Sequence, residues 1–268
     1  MKVLFLPDYP DREFYTIVAI FMRLGYFATS DPESPFDFAF SWQDSTWLEP
    51  NPVLKQVALQ KPVLNLNCRD ISKRRVEAVF SRVFGYSTFI DPTTGTGPMV
   101  QKYDENASGG FIVERPLAET DPEFIYQKLL DSSRGSAMVE YRVPVVPDSI
   151  PMVYTELKDI PSNHIKTTKQ SIEIGEVADV FSLEELRMIT EFCSQMGLDF
   201  GELDIIRAND DHKIYILDAN KTPGGFGMFN HVNWTHEQRS QAIERLAAAF
   251  HTGIQKLLEH HRSTQTLA

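Results

Sequence analysis

Residues 202–225, ELDIIRANDDHKIYILDANKTPGG, carry the most informative pattern in this chain. Its two runs rich in Ile, Leu and Tyr flank the polar segment 208–212, which is the pattern of a β-hairpin. Because side chains alternate faces along a strand, Asp218 and Asn220 share one face. Asp204 joins that face if the loop has three or five residues, since a shift of one residue exchanges the faces. We expect the odd loop.

A shared face for Asp204, Asp218 and Asn220 predicts a site for a hard cation. Two carboxylates that face each other across a hairpin repel unless a cation lies between them. Asp and Asn oxygens suit Mg²⁺, with Mn²⁺ as an alternative. The Gly-rich turn 221–225 lets backbone amides approach an anion closely. The alternative is a hairpin whose acidic residues simply face the solvent.

The composition excludes some classes of partner. The chain has 268 residues, enough for one or two domains, and a formal net charge of −11. That charge argues against nucleic acid or an anionic membrane as the main partner. Cys68 and Cys193 have no metal or redox spacing, so we expect buried free thiols and a cytoplasmic location. No apolar run has the length of a signal peptide or a membrane span.

The first 71 residues alternate between short apolar runs and helical patterns. The runs 2–6, 36–41 and 62–66 predict buried strands, and Asp11 and Asn51 are helix caps. This alternation predicts a small parallel sheet of Rossmann type. It has no GxGxxG motif. The loops 8–12 and 42–47 follow predicted strands, where α/β sheets usually bind ligands.

The middle of the chain predicts a phosphate-binding flap. Ser72 begins a basic helix that contains Lys73 and ends at Gly85. A strand then ends at Lys102, and the polar loop 104–110 leads into another strand. A lysine beside a Gly-rich loop supplies charge while the loop amides close on phosphates. A solvated surface hairpin is the alternative. The loop residues proposed to contact phosphate are Ser108, Gly109 and Gly110.

The remaining elements complete a mixed α/β pattern. Residues 137–146 and 151–157 predict a strand pair, and Ser182 with Glu185 forms a capping box. A long amphipathic helix is expected over 235–260, followed by a frayed tail, 261–268.

In this order the pieces resemble the ATP-grasp superfamily, which includes D-alanyl-D-alanine ligase and glutathione synthetase. The resemblance implies an α/β and α+β fold, with a small Rossmann-like N-terminal domain followed by two lobes that hold ATP and Mg²⁺. The implied boundaries are 1–71 for the first domain, 72–135 for the N-lobe with its flap and 136–260 for the C-lobe with the hairpin.

The resemblance also implies roles for individual residues. PMVQKYDENASGGFIV, residues 98–113, resembles the strand and flap with the phosphate-binding lysine, here Lys102; Lys73 would be the second lysine. Asp218 stands where the better-known ligases commonly have Glu, so the shorter side chain should still bind the metal, in a shifted position. The motif MVEYRV is similar to the hinge strand that meets adenine, and the hairpin is similar to the metal site. The residues implied are Val139, Glu140 and Tyr141 for adenine, and Asp204, Asp218 and Asn220 for Mg²⁺.

The function that the resemblance implies is an ATP-dependent ligase joining a carboxylic acid to an amine through an acyl phosphate. Arg142 is the candidate for holding a substrate carboxylate, and Lys221 for contacting the acyl phosphate. Both substrates would be small molecules, and a second copy in a homodimer would complete a pocket in so compact a chain. A kinase and a non-catalytic ATP-binding protein are the alternatives.

Overall fold

The computed structural model describes residues 1–160, 169–224 and 235–266, which fold into three sheets and the helices packed on them. The strands are β1 (Lys2–Pro7), β2 (Phe27–Thr29), β3 (Phe38–Trp42), β4 (Val63–Leu64), β5 (Gly97–Tyr103), β6 (Gly110–Arg115), β7 (Phe124–Lys128), β8 (Ser133–Arg134), β9 (Ala137–Val145), β10 (Val153–Asp159), β11 (Lys169–Gly175), β12 (Gly201–Arg207) and β13 (Ile214–Asn220). The helices are α1 (Thr16–Leu24), α2 (Pro52–Val57), α3 (Lys73–Phe84), α4 (Val177–Val180), α5 (Leu183–Met196) and α6 (His236–Thr266).

The N-terminal sheet is parallel, in the order β2-β1-β3-β4. The predicted parallel sheet is therefore confirmed, with one short additional strand, β2. Phe40 in β3 stacks on Phe5 and meets Phe200 edge to face, so the sheet shares a core with the segment that leads into β12. The apolar strands bury both faces, which is typical of parallel sheets.

The other two sheets are antiparallel. One has the order β6-β5-β7, with the flap between β5 and β6; the other has the order β11-β10-β9-β12-β13, with β8 paired to β9. The chain crosses from the three-stranded sheet to the larger one between β7 and β8, over residues 129–132. Helices α3 and α5 pack on the larger sheet around Phe80, Ile189 and Phe192.

The helix ends follow the capping rules in most cases. The Ser72 side chain accepts a hydrogen bond from the Arg75 amide, and Gly85 closes α3 at φ +77°, as expected. The capping box of α5 is also confirmed. The Asp11 cap is wrong, because α1 begins only after Tyr15, which makes no side-chain cap. The frayed tail is wrong for 261–266, since α6 continues to Thr266.

A single buried asparagine joins the N-terminal sheet to the hairpin. Asn65 follows β4, is fully buried and has φ +55°. Its side-chain oxygen accepts from the amides of Asp199 (2.8 Å) and Phe200 (3.0 Å), and its side-chain nitrogen donates to the Phe200 carbonyl (2.8 Å). Asn tolerates this left-handed conformation better than most residues. The contact fixes the sheet relative to β12.

Among the described residues, no helix combines the length and apolar character that crossing a membrane requires.

Candidate active site

The hairpin brings the predicted metal ligands onto one face, by a different route from the expected one. Asp204 lies opposite Asp218, and Glu202 opposite Asn220. The odd loop is wrong, because the Ala208 amide bonds the Lys213 carbonyl (3.0 Å) and leaves the even loop 209–212. A β-bulge between Asp204 and Ile205 corrects the register, since one residue of β13 is then unpaired. The predicted pairing is confirmed.

Each of the two aspartates has one buried side-chain oxygen at the site. Asp204 Oδ1 and Asp218 Oδ1 have no hydrogen-bond donor among the described residues, and each faces a cation. Arg142 Nη1 lies 3.0 Å from Asp204 Oδ1, and Lys73 Nζ lies 3.2 Å from Asp218 Oδ1. Burial raises the pKa of the Asp204 carboxyl to about 8, Arg142 opposes the rise, and the neighbouring carboxylates add to it.

This donor set fits a Mg²⁺ ion. Two buried carboxylate oxygens lie within a strand spacing of each other, and the Asn220 amide adds a neutral oxygen beside them. In the described ranges, no cluster of three or more His, Cys, Asp or Glu could hold a metal by itself. The set therefore suits an ion that takes few protein ligands and completes its shell with phosphate and water oxygens.

Two lysines converge on this acidic face from different elements. Lys73, in the first turn of α3, is 1% exposed and donates to the Glu105 carbonyl (2.5 Å) and the Ser108 hydroxyl (3.4 Å) of the flap. Lys102, near the end of β5, is buried. Burial lowers the pKa of the Lys102 ammonium and Lys73 adds to that shift, while Asp218 opposes it. Both cations lie where a polyanion would meet the aspartates.

The flap lies over the site and touches both neighbouring parts of the protein. The Asn106 amide group donates to Asn220 Oδ1 (2.7 Å), and the Asn106 backbone amide donates to Thr46 Oγ1 (3.0 Å). Thr46 belongs to the loop 42–47 that was predicted as a ligand loop. A Cβ at Gly109 would meet nothing within 4 Å, so the flap backbone leaves space there for a ligand. Sequence reasoning missed Asn106.

A cleft of about 110 Å³ opens between the three-stranded and the larger sheet. Val139 and Glu140 line it, whereas the Tyr141 ring lies in the core, 5.7 Å from the Phe181 ring. The crossing between the sheets was not predicted from the sequence, although Leu129 and Leu130, directly before a Ser-rich segment, could have indicated it. The cleft is lined by Val100, Lys102, Gln127, Lys128, Leu129, Leu130, Ser132, Met138, Val139, Glu140, Lys158, Ile206 and Leu217.

Arg142 lies at the centre of a cluster of charged side chains on the same face. Its guanidinium is 2.8 Å from Glu202, 3.0 Å from Asp204, 3.4 Å from Glu140 and 3.6 Å from Glu156. Burial lowers the pKa of Arg142, but these carboxylates outweigh it and hold the pKa well above its usual value.

Lys158 is a second cation of this cluster. It pairs with Glu140 and lies 3.4 Å from Glu156. Sequence reasoning missed Glu156 and Lys158, although their spacing of two along β10 placed them on one face.

Lys221 is buried at the junction with the N-terminal sheet. It is 1% exposed, and its ammonium has no hydrogen-bond partner in the described part of the chain. Burial lowers the pKa of Lys221, while Cys68, Asp70 and Asp44 favour its charged form. Gly225, in the predicted anion-binding turn, lies outside the described residues. Cys68 and Cys193 are free and buried, as predicted.

Solved structures share this architecture. The ATP-grasp ligase PsnB, complexed with a phosphomimetic variant of its minimal precursor, Mg and ADP, matches at a TM-score of 0.56 and 14% identity, over 94% of this chain and 98% of PsnB. The D-alanine–D-alanine ligase of Bacillus anthracis matches at 0.55 and 12% identity, over 98% of both chains. This chain has the ATP-grasp fold. Comparison with protein-family models and with curated protein sequences gave no match.

Two of the matched ATP-grasp structures were solved with a bound nucleotide. In solved structures of this fold, PsnB holds Mg and ADP, and the B. anthracis ligase was also solved with ATP (TM-score 0.53, 11% identity, over 98% of this chain and 97% of that one). At these identities the likeness extends to the fold alone. The roles of individual residues follow from their geometry in this chain.

Proposed function

We propose that this protein is an ATP- and Mg²⁺-dependent ligase that joins a carboxylic acid to an amine. One observation carries the proposal: Asp204 and Asp218 face each other with buried oxygens, near Lys73 and Lys102, beside a cleft between two sheets of an ATP-grasp fold. A non-catalytic nucleotide-binding protein has less need of opposed carboxylates beside the phosphates that it binds, because they repel bound ATP without a cation.

The nucleotide would lie in the cleft with its base beside Val139 and Glu140. The apolar side chains of the cleft, such as Leu130 and Leu217, would cover the base. The position of Tyr141 beside the base stays a prediction. Lys102 would neutralise phosphate charge from β5, and Lys73 would do so from α3.

The flap would close the phosphate site from above. The backbone amides of Ser108, Gly109 and Gly110 would donate to phosphate oxygens, since Gly109 leaves room for their close approach. Lys73 supports this arrangement because it already contacts the Glu105 carbonyl of the flap.

Asp204, Asp218 and Asn220 would hold Mg²⁺, or Mn²⁺ in its place. The ion supplies charge neutralisation and orientation of the phosphate groups. Asp204 would lose its proton on binding, because burial raises its pKa to about 8, and the metal would replace Arg142 and Lys73 as the cation beside the two carboxylates. Lys73 is then free to meet phosphate.

The reaction would proceed in two displacements. A substrate carboxylate oxygen attacks the γ-phosphorus, which yields ADP and an acyl phosphate; the amine nitrogen then attacks the acyl carbon, and phosphate and a proton leave. Lys221, next to the metal ligand Asn220, would stabilise the acyl phosphate. The proposal that Arg142 binds a substrate carboxylate requires it to exchange one of its four carboxylate partners. We place the reaction in the cytoplasm; a homodimer stays a prediction.

The test is phosphate release from ATP in the presence of candidate acids and amines. A ligase releases phosphate only when acid and amine are both present, a kinase gives a phosphorylated product, and a binding protein gives no turnover. Asp218→Ala should abolish turnover while the exposed loop variant Asp210→Ala, on the same hairpin, retains it. Equal turnover by wild-type protein and Asp218→Ala would exclude the assigned metal site.

A further inference from the structure

A groove outside the cleft combines exposed aromatic rings with carboxylates. It encloses about 550 Å³ and is open to solvent on one side; we call it the aromatic–acidic groove. Trp47 is 52% exposed and Tyr103 is 43% exposed, and both rings line this one groove. The groove is lined by Trp47, Tyr103, Asp104, Glu105, Pro122 and Glu123.

The rings of the groove stand on a well-fixed backbone. The Trp47 carbonyl accepts from the Ser45 hydroxyl (2.7 Å), and Trp47 pairs with Asp70 in an isolated β-bridge. The Tyr103 ring lies 4.5 Å from the Phe124 ring. A partner would therefore meet a surface that is already ordered, and fixed aromatic anchors of this kind dominate binding energy at interfaces.

The groove carries a net negative charge, because Arg74 offsets only Asp104 among its three carboxylates. Arg74 lies 3.2 Å from the Asp104 carboxylate and donates to the carbonyls of Pro122 (3.0 Å) and Phe124 (2.8 Å). It thus neutralises Asp104 and ties the flap base to the 121–124 turn. The side-chain carboxylates of Glu105 and Glu123 are exposed and contact no cation in the described ranges.

We propose that the aromatic–acidic groove docks a basic segment of a polypeptide, with a Lys or Arg side chain between Trp47 and Tyr103. The stem of such a side chain covers apolar ring surface while its charged end reaches Glu105 and Glu123. The carboxylates repel nucleic acid and anionic lipid. A small-molecule site buries most of its ligand in an enclosed pocket, whereas this groove is open and rimmed by charge like a protein interface.

The groove adjoins the active site through the flap. Glu105 contributes its side chain to the groove and its carbonyl to Lys73, whose ammonium also contacts Asp218. A docked segment would therefore lie beside the flap, close to the proposed metal site. The inference goes beyond the ligase proposal, because docking requires neither ATP nor turnover.

The test measures binding of a short synthetic peptide in which Lys and Arg alternate with Gly and Leu, at physiological salt. The control peptide carries Glu in place of every Lys and Arg. We expect the basic peptide to bind at least about tenfold more tightly than the acidic one, which corresponds to ~1.4 kcal/mol. Trp47→Ala and the double variant Glu105→Gln/Glu123→Gln should each weaken binding about fivefold or more.

Matched variants separate the groove from the overall negative charge. Phe27→Ala removes another exposed ring and Glu33→Gln another exposed carboxylate, and both should bind the basic peptide like wild-type protein. Asp218→Ala should also bind it normally, so a failed ATP site and a failed groove give different results. Circular dichroism confirms that each variant is folded.

Several outcomes would overturn the proposal. Equal affinity of wild-type protein and the groove variants would show attraction by overall charge alone. Absence of binding, or equal binding of the acidic peptide, would remove the basic segment as the occupant. A dimer in sedimentation that Trp47→Ala dissociates would assign the groove to a second copy of this chain.

Discussion

Replacing Arg142 by Met separates a structural role of this guanidinium from substrate binding. Its two nearest carboxylates, Glu202 at 2.8 Å and Asp204 at 3.0 Å, are largely buried. Lys158 remains beside Glu140 and Glu156 in the variant, so the loss falls mainly on the first two. Removing one partner of a buried ion pair costs about 3–5 kcal/mol, and we expect the lower end, about 3 kcal/mol.

The loss should depend on pH with a defined sign. The folded-state pKa of Asp204 is raised to about 8, so stability is lost as pH rises from the unfolded-state value towards that pKa. Without Arg142 the folded-state pKa rises further. The deficit of Arg142→Met should therefore be larger at pH 8.5 than at pH 5.5, values chosen on either side of about 8.

The assay is urea unfolding followed by circular dichroism, supported by thermal melts. A deficit of about 3 kcal/mol lowers the melting temperature of a protein of this size by about 6–12 °C. Arg207→Met is the control, since Arg207 forms an ion pair only with Glu185 among the described residues, and should cost about 1 kcal/mol. An Arg142→Met protein as stable as wild type, at both pH values, would refute a structural role for the cluster of charged side chains around Arg142.

Three further predictions follow from the junction, the flap and the metal site. Asn65→Ala removes the hydrogen bonds that this buried side chain makes at φ +55° and should cost about 4 kcal/mol in urea unfolding, whereas exposed Asn67→Ala should cost under about 0.5; equal costs would contradict the junction. Asn106→Ala removes one hydrogen bond worth ~1 kcal/mol, so backbone amides of residues 104–110 should exchange hydrogen about fivefold faster in the absence of nucleotide. Unchanged exchange would argue against the flap contact. Calorimetry should show Mg²⁺-dependent ATP binding weakening below about pH 8, because Asp204 must lose its proton; pH-independent binding would exclude Asp204 as a ligand.

The shared face of the proposed metal ligands was predictable because strand alternation links Asp218 to Asn220. The loop length was not, since a bulge between Asp204 and Ile205 compensates for an even loop and leaves no local signal in the sequence. Helix α3 was predictable from Ser72 and Gly85, which act through local capping. Local rules thus predicted the capped ends of α3 and α5, although the start of α1 differed from the predicted Asp11 cap.

The remaining features depend on contacts distant in sequence. Arg142 meets Asp204 only because β9 lies beside β12, and alternation within one strand does not reveal which strands are neighbours. Lys221 follows a predicted strand, yet its burial depends on packing against the N-terminal sheet. The crossing at 129–132 lines the cleft because two sheets meet there. Such placements require the tertiary fold.

Calorimetric titration with ATP, with and without Mg²⁺, tests whether the facing aspartates bind the metal of a nucleotide site. Wild-type protein should bind ATP in a Mg²⁺-dependent manner, and Asp218→Ala should lose that dependence while it remains folded. The loss is expected because the variant removes one of two facing carboxylates at the site. Absence of binding by folded wild-type protein, or undiminished Mg²⁺-dependent binding by Asp218→Ala, would contradict the account.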